Sequence, residues 1–244
     1  DLKFNDFCYK SDFYDNLDSF KNIEVVFHLG ACSDTTNWDG QYLLKNNYEC
    51  SKNLFIWCQE NSIPFIYASS ASVYGINNNF KECSQNENPI NMYAYSKLLF
   101  DQFVRRNIKN NHSQVVGLRY FNVYGPNEKH KKKMASTIFH FNNQVKISNE
   151  AKLFKGNDLY GNGEQSRDFV YVKDCAELNI WFFNNPQFSG IYNVGTGNSE
   201  TFNSIANLII KWHKKGKITY IDFPDNLLES YQNYTKADIS SLQS

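Results

Sequence analysis

A tyrosine and a lysine that could share a proton-transfer step stand four residues apart, as Tyr93 and Lys97. On a helix this spacing places both side chains on one face. A nearby ammonium group and a cationic nicotinamide would lower the tyrosine pKa from about 10, which makes the hydroxyl a usable acid or base. Ser70, at the end of a serine-rich strand upstream, could hydrogen-bond the same substrate oxygen. The combination predicts hydride-transfer chemistry, whereas Tyr-x-x-x-Lys alone is common by chance.

The elements that must position these residues alternate between strand and helix. Apolar runs predict strands over 23–29, 64–68, 114–121, 168–172 and 191–194. Amphipathic spacing predicts helices over 46–59, 93–107, 134–143, 173–184 and 201–214. This alternation predicts an α/β fold, a Rossmann-type doubly wound parallel sheet. Because ligands of such sheets bind beyond the carboxyl ends of the strands, we expect the site near 30–33, 69–72, 122–125 and 195–197.

Composition excludes several classes of partner. The 244 residues include 25 Lys+Arg and 25 Asp+Glu, so no net charge favours nucleic acid or an anionic membrane. No apolar run approaches the roughly 18 residues of a spanning helix, and a soluble cytoplasmic protein is expected. The six cysteines form no Cys-x-x-Cys pair, which favours reduced thiols over a disulfide framework or a metal site.

Four strings carry a family resemblance: SSASVYG at 69–75, the Tyr-x-x-x-Lys helix, RYFNVYGP at 119–126 and RDFVYV at 167–172. Together they resemble the extended short-chain dehydrogenase/reductase family of nucleotide-sugar enzymes. Strings at 30–40, 134–136, 223–225, 231–232 and 235–238 extend the resemblance over essentially the whole chain. It implies epimerisation of an ADP-heptose at C6 through a transient 6-keto intermediate, for the lipopolysaccharide inner core. The implied cofactor is NADP, with NAD as the alternative, and the expected assembly is a homo-oligomer.

The resemblance also implies individual roles. Tyr93 and Lys131 would handle protons on opposite sides of the sugar carbon, while Lys97 holds the nicotinamide ribose and Ser70 completes the triad. Residues expected to contact the cofactor are Lys10, Leu29, Gly30, Ala31, Cys32, Ser33, Asn46, Lys97, Val123 and Lys131. Residues expected to contact the ADP-heptose are Ser70, Asn122, His140, Phe154, Lys155, Gly156, Asn157, Arg167 and Tyr231.

Two of these assignments have alternatives. Lys131 lies in the basic run 129–133, which is typical of a solvated face, whereas the catalytic role calls for a lysine desolvated in the pocket. The family tends to have small residues, including a serine thought to touch substrate, where Lys132 and Lys133 stand. Arg167 could bind the substrate pyrophosphate bidentately, or it could form a salt bridge with Asp168 or Asp174.

The dinucleotide-binding unit is expected to be incomplete. Residues 1–122 and 168–196 are predicted to form that domain, and residues 123–167 and 197–244 a smaller substrate-binding lobe. No Gly-x-x-Gly-x-x-Gly turn is present, so an N-terminal piece on the order of 30–50 residues and a final helix are expected to be absent. An exposed strand at 23–29 would then favour aggregation and poor dinucleotide binding.

Two other functions stay open at this point. One is a 4-epimerase or 4,6-dehydratase acting on UDP- or dTDP-sugars. A dehydratase should carry an Asp-Glu pair after the catalytic hydroxyl, and Ala71-Ser72 follows Ser70 here. The other is a non-catalytic binding protein that keeps the sugar pocket, against which the retained Ser70, Tyr93 and Lys97 argue.

Overall fold

Parallel strands form the centre of the fold in the computed structural model, which describes residues 4, 6–156, 159–224 and 231–243. The described strands are β1 (Val26–His28), β2 (Phe65–Ser70), β3 (Val115–Tyr120), β4 (Asn122–Tyr124), β5 (Glu150–Phe154), β6 (Ser166–Arg167), β7 (Phe169–Tyr171), β8 (Gly190–Val194), β9 (Glu200–Thr201) and β10 (Lys217–Ile221). The described helices are α1 (Lys10–Asp15), α2 (Gly40–Leu43), α3 (Cys50–Glu60), α4 (Met92–Asn107), α5 (Thr137–Ser148), α6 (Val172–Asn184), α7 (Phe202–His213) and α8 (Ser240–Gln243).

The central sheet has the strand order β1-β2-β3-β8 in the described residues, and every pair in it is parallel. Its inner strands, β2 and β3, are nearly continuous apolar runs because both faces of the sheet are covered. On one face α3 and α4 pack through Leu54, Phe55 and Phe100. On the other face α6 packs through Phe182. The predicted α/β class with a parallel sheet is confirmed.

A smaller sheet lies beside the central one. Strands β5 and β10 pair in parallel, and α5 and α7 pack over them. Phe141, Val145, Leu153 and Ile205 form the buried cluster between these helices and strands. The sequence did not predict β5 or β10. Strand β10 is mostly exposed or half-buried, so it lacks the continuous apolar run that identified the central strands.

The observed helices begin at other residues than the apolar periodicity predicted, because capping residues determine where they start. The helix predicted over 46–59 begins at Gly40, because the Asp39 carboxylate accepts a hydrogen bond from the Tyr42 N–H at 2.9 Å. It continues through a π-helical turn, Leu44–Glu49, into α3. The helix predicted over 134–143 is α5, which begins after the cap residue Ser136. Such caps are polar residues, so the spacing of apolar residues does not indicate them.

The loop after β8 is held by one buried carboxylate. Asp168 is fully buried and accepts hydrogen bonds from the Thr196 N–H at 2.8 Å and the Thr196 hydroxyl at 2.7 Å. It also accepts from the Gly197 N–H at 2.9 Å and the Ala237 N–H at 3.0 Å. Residues 195–197 therefore form a turn anchored to the β6–β7 junction. No helix among the described residues is long and apolar enough to cross a membrane.

Replacement of Asp168 by Asn should destabilise the fold strongly, because the amide cannot accept from all four donors and some would stay buried without a partner. We expect a loss of about 3 kcal/mol in the free energy of unfolding, measured by urea titration. The same change at Asp174, exposed in the first turn of α6, should cost less than about 1 kcal/mol. Equal losses at the two positions would contradict the anchoring role.

Candidate active site

Ser70 and Tyr93 meet where β2 ends and α4 begins. The Ser70 hydroxyl accepts hydrogen bonds from the N–H and the hydroxyl of Ser72, at 3.2 and 2.9 Å. It also bonds the Tyr93 side chain. Helix α4 begins just before Tyr93 because Asn91 caps it, accepting from the Ala94 N–H at 2.8 Å. The cap thus places the tyrosine in the first turn, directly opposite the strand end.

Lys97 lies one turn further along the same face of α4. It is buried, and its ammonium donates a hydrogen bond to the Ala68 carbonyl of β2 at 2.8 Å. Burial lowers the pKa of Lys97 to about 8, and the charge of Asp101 opposes that shift. The structure therefore brings the predicted triad of Ser70, Tyr93 and Lys97 together.

The pKa of Tyr93 does not move in the direction expected from the sequence. Burial raises it, the hydrogen bond from Ser70 opposes the rise, and Cys32 adds to it. The Lys97 ammonium is bonded to the Ala68 carbonyl and is not among the groups that shift the pKa of Tyr93. Within the protein alone, Tyr93 is thus held in its protonated form, and the expected lowering depends on the nicotinamide cation.

Asn47, which sequence reasoning missed, ties the loop after β1 to α4. Its side chain accepts from the Cys32 N–H at 2.8 Å, and it donates to the Cys32 carbonyl at 3.0 Å and to the Ser96 hydroxyl at 3.0 Å. Asn47 lies in the π-helical turn, a feature frequent at functional sites. The sequence feature that could have indicated Asn47 is an asparagine inside the amphipathic helix predicted over 46–59.

Several predicted cofactor residues line one cavity of about 520 Å³ beside β1. Lys10 and Asn46, distant in sequence, are joined by a hydrogen bond of 2.6 Å from the ammonium to the side-chain oxygen. Gly30 leaves open space where a Cβ would stand. A cation, an amide and an open backbone fit a dinucleotide phosphate. The predicted residues in this wall are Lys10, Leu29, Gly30, Ala31, Cys32 and Asn46, whereas Ser33, Lys97, Val123 and Lys131 lie outside it.

His28 also lines that cavity, and sequence reasoning assigned no role to it. Its Nε2 lies 2.8 Å from the Ser51 hydroxyl, and its ring stacks on Phe65. Burial lowers the pKa of His28 to about 4, with further lowering by the charges of Lys97 and Lys10. His28 is therefore neutral near pH 7.

A second cavity, of about 710 Å³, lies beyond the ends of the strands. The predicted residues Asn122, Arg167 and Tyr231 line it. Sequence reasoning missed the remainder of its wall, which comprises Thr35, Thr36, Trp38, Asn91, Lys133, Met134, Thr137 and Phe202.

Arg167 is the buried cation of this second cavity. Its guanidinium lies 4.9 Å from the centre of the Tyr231 ring and 5.5 Å from that of Phe202. Within the described residues it forms no salt bridge with Asp168 or Asp174, and Asp168 is instead bonded to the loop after β8. The salt-bridge alternative is therefore wrong. Burial lowers the pKa of Arg167, and an anionic ligand would offset that cost.

Other predicted sugar-site residues stand away from the cavity wall. Phe154 packs behind Tyr231, with ring centres 6.2 Å apart, and Lys155 forms an exposed ion pair with Asp222 at 2.7 Å. The Gly156 N–H donates to the Asn162 side chain, and Asn157 lies outside the described residues. His140 lies in α5, beside Phe139, and does not line the cavity.

The basic run is organised by a buried acid. The Glu128 carboxylate accepts from the Gly125 N–H at 3.1 Å, and from the N–H and hydroxyl of Ser136 at 2.7 and 2.8 Å. Lys131 lies 3.7 Å from Glu128 with 37% of its side chain exposed, so the expected desolvation is absent. Lys133, not Lys131, lines the second cavity, and its ammonium lies 3.0 Å from Asp34.

The cluster of Ser70, Tyr93 and Lys97 at the ends of the parallel strands agrees with the class of protein that the family comparison shows. Residues 4–195 match the NAD dependent epimerase/dehydratase family, and the chain belongs to it. A nicotinamide dinucleotide is the cofactor of this family. The resemblance to nucleotide-sugar enzymes predicted from the sequence is confirmed.

Within this class, the chain is similar to several individual epimerases. The chain is 52% identical to the ADP-L-glycero-D-manno-heptose-6-epimerase of Alkalilimnicola ehrlichii over 97% of this chain and 77% of that protein. Among solved structures it is similar to the ADP-L-glycero-D-manno-heptose-6-epimerase of Helicobacter pylori, at 35% identity and a TM-score of 0.80, over 93% of this chain and 67% of that one. A UDP-N-acetylglucosamine 4-epimerase from Methanobrevibacter ruminantium, in complex with UDP-N-acetylmuramic acid, gives 29% identity and a TM-score of 0.82, over 96% and 73%.

The depressed pKa of His28 predicts an acid-sensitive fold. Because the folded pKa of about 4 lies below the ordinary 6.5, the unfolded chain binds more protons between these values. Stability should therefore fall as the pH falls from 6.5 to 4, by roughly 3 kcal/mol from this residue. Urea titrations across that range should give a flatter profile for His28→Gln. The same change at exposed His112 should leave the profile unaltered, and parallel profiles for wild type and His28→Gln would refute the assignment.

Proposed function

We propose that the protein is an NADP-dependent epimerase that converts ADP-D-glycero-D-manno-heptose to ADP-L-glycero-D-manno-heptose by inverting C6. The 52% identity to a heptose epimerase, over 97% of the chain, carries this proposal. The assembled triad supports it physically, as do two cavities whose walls include Cys32 in the loop after β1 and Asn91 at the start of α4. The lobes proposed to build them are residues 1–122 with 168–196, and residues 123–167 with 197–244.

The proposed chemistry assigns a task to each part of the triad. A bound nicotinamide dinucleotide would supply reversible hydride transfer at the sugar carbon. Tyr93 takes the proton of the C6 hydroxyl, and Ser70 donates a hydrogen bond to the same oxygen. Lys97, which bonds the Ala68 carbonyl in this structure, is the proposed contact of the nicotinamide ribose, and its positive charge would favour the tyrosinate once the cofactor draws the ammonium away from that carbonyl. Lys131 is the proposed acid/base on the opposite face, a role that requires it to leave Glu128 when substrate binds.

The proposed binding of substrate uses the second cavity. Arg167, desolvated between two aromatic rings, is the proposed partner of the pyrophosphate, since a planar guanidinium can bind phosphate oxygens bidentately. Asn122 and Tyr231 complete the predicted wall. His140, Phe154, Lys155, Gly156 and Asn157 are retained as proposed contacts only through the family resemblance.

The proposed setting is the cytoplasm, in a homo-oligomer that supplies heptose for the lipopolysaccharide inner core. All six cysteines are free thiols, which suits a reducing compartment. Among the described residues no group of three or more His, Cys, Asp or Glu side chains could hold a metal ion. The proposed reaction uses proton and hydride transfer.

Substrate turnover tests the proposal directly. The purified protein, supplied with NADP, should convert ADP-D-glycero-D-manno-heptose to its C6 epimer and leave UDP-galactose unchanged, as followed by NMR of the sugar protons. Turnover of UDP-galactose without the ADP-heptose would favour the 4-epimerase alternative. Binding of ADP-heptose without any turnover would favour the non-catalytic alternative.

Tyr93→Phe tests the proposed acid/base while preserving the ring. We expect its kcat to fall roughly 100-fold or more, because the phenol oxygen that handles the proton is removed. Tyr95→Phe is the matched control, since Tyr95 lies on the same helix with 43% of its surface exposed. A Tyr93→Phe enzyme with the kcat of wild type would remove Tyr93 from the mechanism.

A further inference from the structure

Asp101 continues the face of α4 that carries Tyr93, the proposed acid/base, and Lys97. Tyr93, Lys97 and Asp101 follow one another at intervals of four residues, so their side chains lie in one row. Asp101 is fully buried, although a solitary carboxylate is costly to bury. Neither the proposed chemistry nor the sequence motifs give it a task.

The Asp101 carboxylate is saturated by donors from two strands. It accepts from the Tyr67 hydroxyl at 2.9 Å and the Ser69 hydroxyl at 2.9 Å, both on β2. It also accepts from Arg119 on β3, whose Nε and Nη2 lie 2.9 and 2.8 Å away. Arg119 also forms an ion pair with Glu87, and Glu87 in turn pairs with Arg105, whose side chain is partly exposed. The charges of two acidic and two basic side chains thus cancel within this cluster.

This arrangement fixes the catalytic end of β2. Tyr67 and Ser69 project to one face of the strand because side chains alternate. Between them lies Ala68, whose carbonyl accepts from Lys97, and immediately after them comes Ser70, which bonds Tyr93. One carboxylate therefore sets the position of the strand segment that contacts both Tyr93 and Lys97.

We infer that Asp101 is a positioning residue for the Tyr93–Lys97 pair: its bonds to Tyr67 and Ser69 lock the end of β2 against α4, and its carboxylate lies one helical turn beyond Lys97 on the same face. The inference deepens the proposed function and rests on it. Burial alone disfavours the ammonium, and the Asp101 charge is the protein group that opposes burial at Lys97. The other titratable or charged groups around the cluster are Tyr93 and Arg105 on α4, His28 on β1, Cys32 after β1, Tyr67 on β2, Arg119 on β3 and Glu87 before α4.

The pH profile of kcat/KM distinguishes this role from simple structural support. Asp101→Asn keeps the shape and removes the charge, so Lys97 should lose its proton at lower pH. We expect the alkaline limb to move down by on the order of one pH unit. Asp101→Glu, which restores the charge, should return the limb toward the wild-type position. Tyr67→Phe, which removes one donor and keeps the carboxylate, is the control and should lower stability without moving the limb.

A second variant covers the case in which Asp101→Asn does not fold. Asp101→Asn combined with Arg119→Gln removes both charges together, which leaves no unpaired arginine facing the asparagine. Its alkaline limb should move in the same direction as that of the single variant. A folded variant of either kind whose limb coincides with that of wild type overturns the inference.

A measurement without turnover separates this inference from the proposed function. The folded pKa of Lys97, about 8, lies below the ordinary 10.5, so its burial cost is relieved as the pH rises between these values. The difference in unfolding free energy between wild type and Lys97→Met should therefore change from about pH 8 upward. In the Asp101→Asn background that change should start at lower pH, whether or not the protein is an epimerase. An unchanged onset contradicts the inference.

Discussion

The buried contact between Asp101 and Arg119 is the interaction on which the rest of the site depends. Two charged groups are removed from water between α4 and the central sheet, and their mutual pairing offsets that cost. The carboxylate bonds β2 and β3 together, and the guanidinium also pairs with Glu87. The geometry of the strand ends follows from this electrostatic requirement as much as from apolar packing.

The carboxyl ends of the strands bring the side chains of the candidate active site together. In a parallel sheet the carboxyl ends of all strands meet at one edge, which places the loop after β1, Ser70 after β2 and Asn122 after β3 close together. Helix α4 adds Tyr93 and Lys97 from above that edge. The two cavities differ in character in a manner that suits two ligands. One has an exposed backbone loop beside Lys10, and the other has a desolvated arginine between aromatic rings.

The sequence predicted the elements whose signals are local. Apolar runs identified the central strands, and the Tyr93–Lys97 spacing identified the face of α4 that meets β2. It could not predict β5 and β10, whose pairing depends on partners distant in the chain. It also missed Asn47, His28 and Asp101, because the roles of buried polar residues come from long-range contacts.

The positions of the lysines in the basic run 129–133 also could not be predicted from the sequence. Lys131 and Lys133 are residues of the same type in one basic run. Lys131 pairs with Glu128 and lies outside the cavity wall, whereas Lys133 pairs with Asp34 and lines the cavity. Only the folded positions of those two acids distinguish the lysines. The proposed catalytic role of Lys131 therefore stays a prediction, whereas the family membership and the fold class predicted from the sequence are confirmed.

The most direct test of the account follows a label on the reacting carbon. ADP-D-glycero-D-manno-heptose carrying deuterium at C6 would be converted by the protein in ordinary water, and the epimeric product examined by NMR and mass spectrometry. Oxidation and reduction at C6, assisted by Ser70, Tyr93 and Lys97, predict that the product keeps its deuterium at C6. Replacement of the label by solvent hydrogen would contradict the account, because it would mean that C6 exchanges a proton rather than a hydride.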